Sequence, residues 1–279
     1  MKVIKTAKEF LSLRNNYIKS NQSVGFVPTM GALHKGHISL VKRSKLENDI
    51  TVVSIFVNPV QFNNKKDYQT YPRIIGNDIE TLQYENVDVL FLPEEKEIYP
   101  EKPDIVMEIP TLTKHLCGAT REGHFSGVLL VVSKLFNIIS PDRAYFGKKD
   151  YQQLSVVKKM VLDLSFNIEI IGCEIMRETS GLAMSSRNTH LSEKEKEKAS
   201  TIHASLKKTV ELYNKGEKDV SKLLEQCKRS LEEGGIKSID YVEVCDKITL
   251  RKIRSANNNS IILVAVFIGN TRLIDNLEF

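Results

Sequence analysis

The sequence predicts an α/β protein: a parallel sheet with helices on both faces, joined to a smaller C-terminal α+β domain. Three observations predict it. Apolar, β-branched runs at residues 24–27, 51–57, 87–92 and 168–175 alternate with segments of helical periodicity. Those runs are continuously apolar rather than alternating, so both faces of the sheet should be covered, as in a parallel sheet. After about residue 175 the chain turns polar, then runs into a long charged helix and a tail of strands. A chain of 279 residues is long for one core and comfortable for two domains. The boundary is expected between residues 176 and 177, giving domains 1–176 and 177–279.

Each element has its own signal. Helical periodicity covers roughly 35–47, 77–85, 127–139 and 151–164. A further strand should end near Tyr145 and Phe146, before Gly147. Sheets of this kind bind ligands beyond the carboxyl ends of their strands, at the switch point. In the second domain, Ser192 with Glu195 fits a capping box that opens a long helix. A second helix over about 220–233 is ended by Gly234 and Gly235. Strands are expected at 239–244, 261–268 and 272–275.

Composition excludes several classes. The net charge of +5 is modest for this length, and the EKEKEK run at 193–198 alternates lysine with glutamate, as a solvated helix face does. Aromatic residues are 7% and tryptophan is absent, so the basic face with interleaved aromatics that an RNA-binding protein needs is missing. No nucleic-acid partner is expected. No stretch approaches the roughly 20 apolar residues that span a membrane, and the start, MKVIKTAKEF, lacks the apolar run of a signal peptide. A cytoplasmic location without a membrane partner is expected. Cys117, Cys173, Cys227 and Cys245 show no CxxC spacing, which suggests free thiols rather than a metal site.

The segment 24–40, VGFVPTMGALHKGHISL, carries the most chemistry. An apolar strand runs into Pro28-Thr29-Met30-Gly31 and then into a helix beginning near His34 to Gly36. A helix N-terminus offers free N–H groups and the positive end of a dipole, a ready phosphate site. His34 and His37, three apart, should project from one helical face there and donate to triphosphate oxygens. Gly36 leaves room for a base or ribose. An isolated HxxH pair would read as two surface histidines. Here the strand, turn and glycines surround it as a nucleotide site requires. The HKGH string resembles the HxGH signature of the nucleotidyltransferase superfamily, whose members share a Rossmann-like sheet, and PTMGALHKGH resembles the pantothenate synthetase (pantoate–β-alanine ligase) family within it.

Six further segments match that family in order. FVNPVQF at 56–62 holds Asn58 and Gln61 after the second strand; by the resemblance Gln61 contacts pantoate. YPR at 71–73 is followed by Asp78, which the resemblance suggests as a magnesium ligand, with a capping or surface role as the bland alternative. LCGATREGHFSGV at 116–128 keeps Arg121 and His124 but has Glu122 where the family has proline. YFGKKDYQQ at 145–153 is a second strand-to-helix turn. Asp150 and Gln153 there have capping-box spacing, whereas Lys149 has no capping role. The resemblance assigns Lys149 to ATP phosphate, Asp150 to the ribose and Gln153 to pantoate. In GLAMSSRN at 181–188, Ser185, Ser186 and Arg187 form a hydroxyl and guanidinium cluster suited to oxyanions; a mobile serine-rich linker is the bland alternative. Ser180 stands before it where the family often has Asp. TRLIDN at 271–276 matches the family's ending.

Carried over whole, the resemblance implies an ATP-dependent ligase that condenses (R)-pantoate with β-alanine through pantoyl adenylate, using Mg²⁺ and releasing AMP and pyrophosphate. His34, His37, Lys149, Ser185, Ser186 and Arg187 are the catalytic candidates. Met30, Gly31, Gly36, Gly147, Lys148, Asp150, Met176 and Met184 complete the ATP site. The family implies a homodimer and a C-terminal lid domain over the adenylate. The alternative is a small nucleotidyltransferase of the same superfamily with another acceptor, which would release pyrophosphate but no AMP.

Overall fold

The computed structural model of the chain describes residues 1–279. Two compact units make it up: Met1–Lys148 with Gln153–Glu174, and Lys149–Gln152 with Ile175–Phe279. Strands are numbered β1 to β9, and helices of ten or more residues α1 to α7, in chain order.

The first unit holds β1 (Lys2–Ile4), β2 (Val24–Thr29), β3 (Ile50–Ile55), β4 (Val89–Phe91), β5 (Arg143–Gly147) and β6 (Glu169–Cys173). They form one parallel sheet in the order β1-β4-β3-β2-β5-β6. Around it lie α1 (Ala7–Lys19), α2 (Lys35–Glu47), α3 (Ile75–Tyr84), α4 (His124–Ile139) and α5 (Tyr151–Asp163). Successive strand residues face opposite sides, and both sides are covered. Val27, Val53 and Leu90 pack with Leu40 and Val41 of α2 and Leu82 of α3. On the other side Phe26 meets Phe136 of α4 edge-on at 6.4 Å, and Phe91 meets Phe10 of α1 at 5.7 Å. Double coverage is why these strands read as unbroken apolar runs. Because β3 and β5 flank β2, the strand order reverses at β2, the place where sheets of this kind bind ligands.

The sequence expectations omit β1 and α1. β1 is an edge strand of three residues, too short to show a pattern. α1 did leave a signal: Thr6 and Glu9 form a capping box.

In the second unit β7 (Ser238–Asp246), β8 (Ser260–Ile268) and β9 (Thr271–Glu278) form an antiparallel sheet in that order. Against it, α6 (Glu193–Asn214) and α7 (Val220–Glu233) bury a core that includes Ile202, Leu206, Leu223, Leu231, Val264 and Val266. Each such side chain contributes about 1.5–3 kcal/mol when fully buried. The Ser192–Glu195 box opens α6 as expected: Ser192 N–H donates to Glu195 Oε2 at 2.9 Å. All four cysteines are free. Burial pushes Cys227 up to about 11 and Cys245 up to about 12, so neither supplies a thiolate near neutral pH. No helix is long and apolar enough to cross a membrane.

Candidate active site

The turn leaving β2 is held from beneath. Gly31 takes φ +67°, and its carbonyl accepts from Tyr71 Oη at 2.8 Å. Leu33 N–H donates to Asp78 Oδ1 at 2.7 Å. A Cβ at Gly31 would come within 2.7 Å of Asp78 Oδ2, so glycine is needed here on two counts. Asp78, from the first turn of α3, is only 1% exposed. Burial raises its pKa, and the Leu33 hydrogen bond partly offsets that.

His34 differs from expectation. It lies outside the helix, with φ −139° and ψ 172°, as the N-cap of α2. Its Nδ1 accepts from Gly36 N–H at 3.1 Å, and His37 Nδ1 accepts from His34 N–H at 3.3 Å. The two rings lie 4.0 Å apart, tilted by 32°. Each Nδ1 receives a backbone proton, so in the neutral rings the imidazole proton sits on Nε2. The pair therefore satisfies orphan N–H groups of the helix end. The spacing in HKGH that suggests two helical side chains is thus an imidazole version of the capping box.

Beside this turn lies a second cluster. Asn58 caps the single 3₁₀ turn Pro59–Gln61 that follows β3. Asn58 Nδ2 donates to Gln61 Oε1 at 3.1 Å and to Gly127 O at 3.0 Å, and Asn58 Oδ1 accepts from Tyr99 Oη at 2.9 Å. Gln61 Nε2 donates to Met30 Sδ at 3.0 Å. The first unit thus brings the expected acid-binding amide into contact with the expected nucleotide turn. Gly147 and Lys148 end β5, where the Lys148 ammonium pairs with Glu174. Gln153 is half-buried on α5.

The other expected residues, Lys149, Asp150, Met176, Met184, Ser185, Ser186 and Arg187, belong to the second unit. There the segment 176–184 is a tied hairpin and not a loose linker. Met184 N–H donates to Met176 O at 2.9 Å, and Glu178 N–H to Leu182 O at 2.8 Å. Arg177 grips Asp275 of β9 with two hydrogen bonds, at 2.6 and 3.0 Å, and Asp275 is 4% exposed. Asn188 Nδ2 donates to Glu178 Oε1 at 2.8 Å. Ser185 caps the 3₁₀ turn Ser186–His190, accepting from Arg187 N–H at 3.3 Å. Asn276, next to Asp275, donates from Nδ2 to Lys149 O at 3.0 Å. Two adjacent residues of β9 therefore hold Lys149 and the hairpin that leads into the 185–187 cluster. Asp275 and Asn276 carry no chemistry the sequence expectations use; their place in TRLIDN was the available signal.

No group of three or more His, Cys, Asp or Glu side chains is placed to hold a metal ion. Asp78, the suggested magnesium ligand, does not fit that role. Oδ1 is spent on Leu33, and Oδ2 is buried without a hydrogen-bond partner against Gly31. Its observed work is to hold the turn.

A parallel sheet with a capped histidine pair at its switch point defines a nucleotide-binding enzyme of the HxGH type. Comparison with known proteins narrows this. The sequence profile of the pantoate-beta-alanine ligase family matches residues 2–278. A pantothenate synthetase of Thermotoga petrophila is 48% identical over 276 residues, covering 99% of both chains. The crystal structure of pantothenate synthetase from Thermus thermophilus aligns with TM-score 0.93 at 41% identity, covering 100% of this chain and 99% of that one. That of pantoate-beta-alanine ligase from Francisella tularensis, complexed with beta-gamma ATP and beta-alanine, aligns with TM-score 0.84 at 44% identity, over 100% and 97%. The chain belongs to the pantoate-beta-alanine ligase family and is an enzyme of the ligase class.

Proposed function

We propose that this chain condenses pantoate with β-alanine in two steps at the cost of ATP. A pantoate carboxylate oxygen attacks the α-phosphorus of ATP, the bond to the bridging oxygen breaks, and pyrophosphate leaves. The neutral amine of β-alanine then attacks the carbonyl of pantoyl adenylate. AMP leaves with the oxygen that came from the pantoate carboxylate, and the nitrogen loses a proton to give the amide of pantothenate. The observation that carries this reading is the contact between the histidine turn and the Gln61 amide, Nε2 to Met30 Sδ at 3.0 Å. Donors for a phosphate and an amide for a hydroxy acid stand side by side, as an acid–nucleotide transfer requires. The Francisella relative bound to beta-gamma ATP and beta-alanine supports both substrates.

In this reading His34 and His37 donate from Nε2 to the phosphates, where charge develops as pyrophosphate leaves. Lys149, Ser185, Ser186 and Arg187 bind the triphosphate. Asp150 contacts the ribose, and Gln61 and Gln153 hold pantoate. Met30, Gly31, Gly36, Gly147, Lys148, Met176 and Met184 border the nucleotide. Mg²⁺ arrives on the triphosphate as part of the substrate and neutralises phosphate charge. No covalent enzyme intermediate is needed, in keeping with the buried, protonated thiols of Cys227 and Cys245. Residues 177–279 serve as the lid that keeps water from the adenylate, and the chain works as a cytoplasmic homodimer.

Pantoate labelled with ¹⁸O in its carboxylate tests the chemistry. The expected product is AMP carrying the label, because the carboxylate oxygen stays with phosphorus when nitrogen attacks carbon. Unlabelled AMP would overturn the adenylate.

A further inference from the structure

We propose that His124 is a positioning residue for the acid-binding amide: it holds the carbonyl of Gln61, and Arg121 fixes the tautomer in which it does so. This rests on the reading of Gln61 as a pantoate contact.

His124 opens α4 and is 7% exposed. Its Nδ1 lies 2.9 Å from Gln61 O, and its Nε2 lies 3.0 Å from Arg121 Nη1. A guanidinium only donates, so Nε2 must accept. The neutral ring then carries its proton on Nδ1 and donates it to the Gln61 carbonyl. The other tautomer fails at both ends, setting N–H against guanidinium and a lone pair against carbonyl oxygen. A doubly protonated ring would also point an N–H at Arg121.

Packing gives a second, independent link between α4 and this turn. A Cβ at Gly127 would fall 2.6 Å from both Cα and N of Gln61. The helix backbone therefore touches the 3₁₀ turn directly, and Asn58 bridges Gly127 O to Gln61 Oε1. The turn itself is short: three residues, capped by Val60 N–H to Asn58 Oδ1 at 3.3 Å and closed by Phe62 N–H to Pro59 O at 3.3 Å. Gln61 is thus located from outside, at its backbone by His124 and at its side chain by Asn58. The REGHFSG string, which no step of the proposed chemistry uses, gains its role here. Glu122 in place of proline leaves the Arg121–His124 contact intact.

The test is pantoate-dependent exchange of pyrophosphate into ATP, with KM measured separately for pantoate and ATP. His124→Ala should raise the pantoate KM about tenfold, about 1.4 kcal/mol and the scale of one buried hydrogen bond. The ATP KM should stay within about twofold. His124→Asn can place an amide N–H near the position of Nδ1–H and should recover most of the loss. The double variant His124→Ala/Gln61→Ala should be no worse than Gln61→Ala. A parallel rise in both KM values, or additive single effects, would overturn the proposal. If His124→Ala fails to fold, His124→Asn and Arg121→Met carry the test: Arg121→Met releases the tautomer and should raise the pantoate KM severalfold. A normal pantoate KM for Arg121→Met, with the native melting temperature, would refute it. Gln61→Ala separates the two levels. An unchanged pantoate KM there removes the substrate reading of Gln61 and this proposal with it. A raised KM there beside a native KM in His124→Ala removes this proposal alone.

Discussion

At the residue scale, the proposed chemistry gives the histidine pair a second job beside capping, one for each ring nitrogen, and isosteres separate them. Asparagine places an acceptor near Nδ1 and is among the strongest N-caps. His34→Asn should therefore keep the melting temperature of the native protein while lowering the exchange rate by about 10²-fold, the cost of one missing transition-state donor. Glutamine reaches toward Nε2 and abandons the cap. His34→Gln should retain more activity and lose about 1 kcal/mol of stability. Thermal melts with initial rates on both variants check this; equal rates would mean that Nε2 does nothing special. Asp78 gives a pH prediction. Burial raises its folded pKa above the unfolded value near 3.9. The native state then holds the proton longer than the unfolded chain. The favourable contribution is complete below the unfolded pKa and is lost as pH rises through the folded one. Asp78→Asn keeps an acceptor for Leu33 without the buried charge. Its melting temperature relative to the native protein should climb from about pH 4 upward and then level off. A constant difference across that range would contradict the raised pKa.

At the element scale, how much of the sequence was legible depended on how local the signal was. β2, β3, β5 and both helices of the second unit are readable because apolar runs, caps and glycines lie within them. α2 emerges at Lys35–Glu47 because its N-terminal turn is written in HKGH. What the sequence hides is pairing at a distance. Tyr71 with Gly31, Tyr99 with Asn58 and Asp275 with Arg177 are 40, 41 and 98 residues apart, and no spacing rule links them. The same blindness left a mobile linker as the bland alternative for 181–188, whose first residues close a hairpin with 176–178. Arg177→Met should expose the value of that tie. It strands the Asp275 carboxylate in a buried site, which typically costs about 3–5 kcal/mol. Chemical denaturation should show the second unit weakened, with 176–188 becoming an early cleavage site in limited proteolysis. Native-like resistance to both would show that the hairpin stands without Asp275.

At the scale of the whole molecule, the proposed site residues are divided between two compact units. The parallel sheet contributes the capped histidines and the Gln61 network. The second unit contributes Lys149 and the 185–187 cluster, tied to β9 by Asp275 and Asn276. The class of enzyme was legible because its motifs are short and local. The tethers that hold those motifs were not, because they come from the far end of the chain. The central claim is that an acid is activated on ATP before the amine enters. Exchange of labelled pyrophosphate into ATP tests this most directly, with pantoate present or absent and β-alanine omitted. Exchange should appear only when pantoate is present and should fall about 10²-fold in His34→Asn. Exchange without pantoate, or none at all from protein that binds ATP, would contradict it.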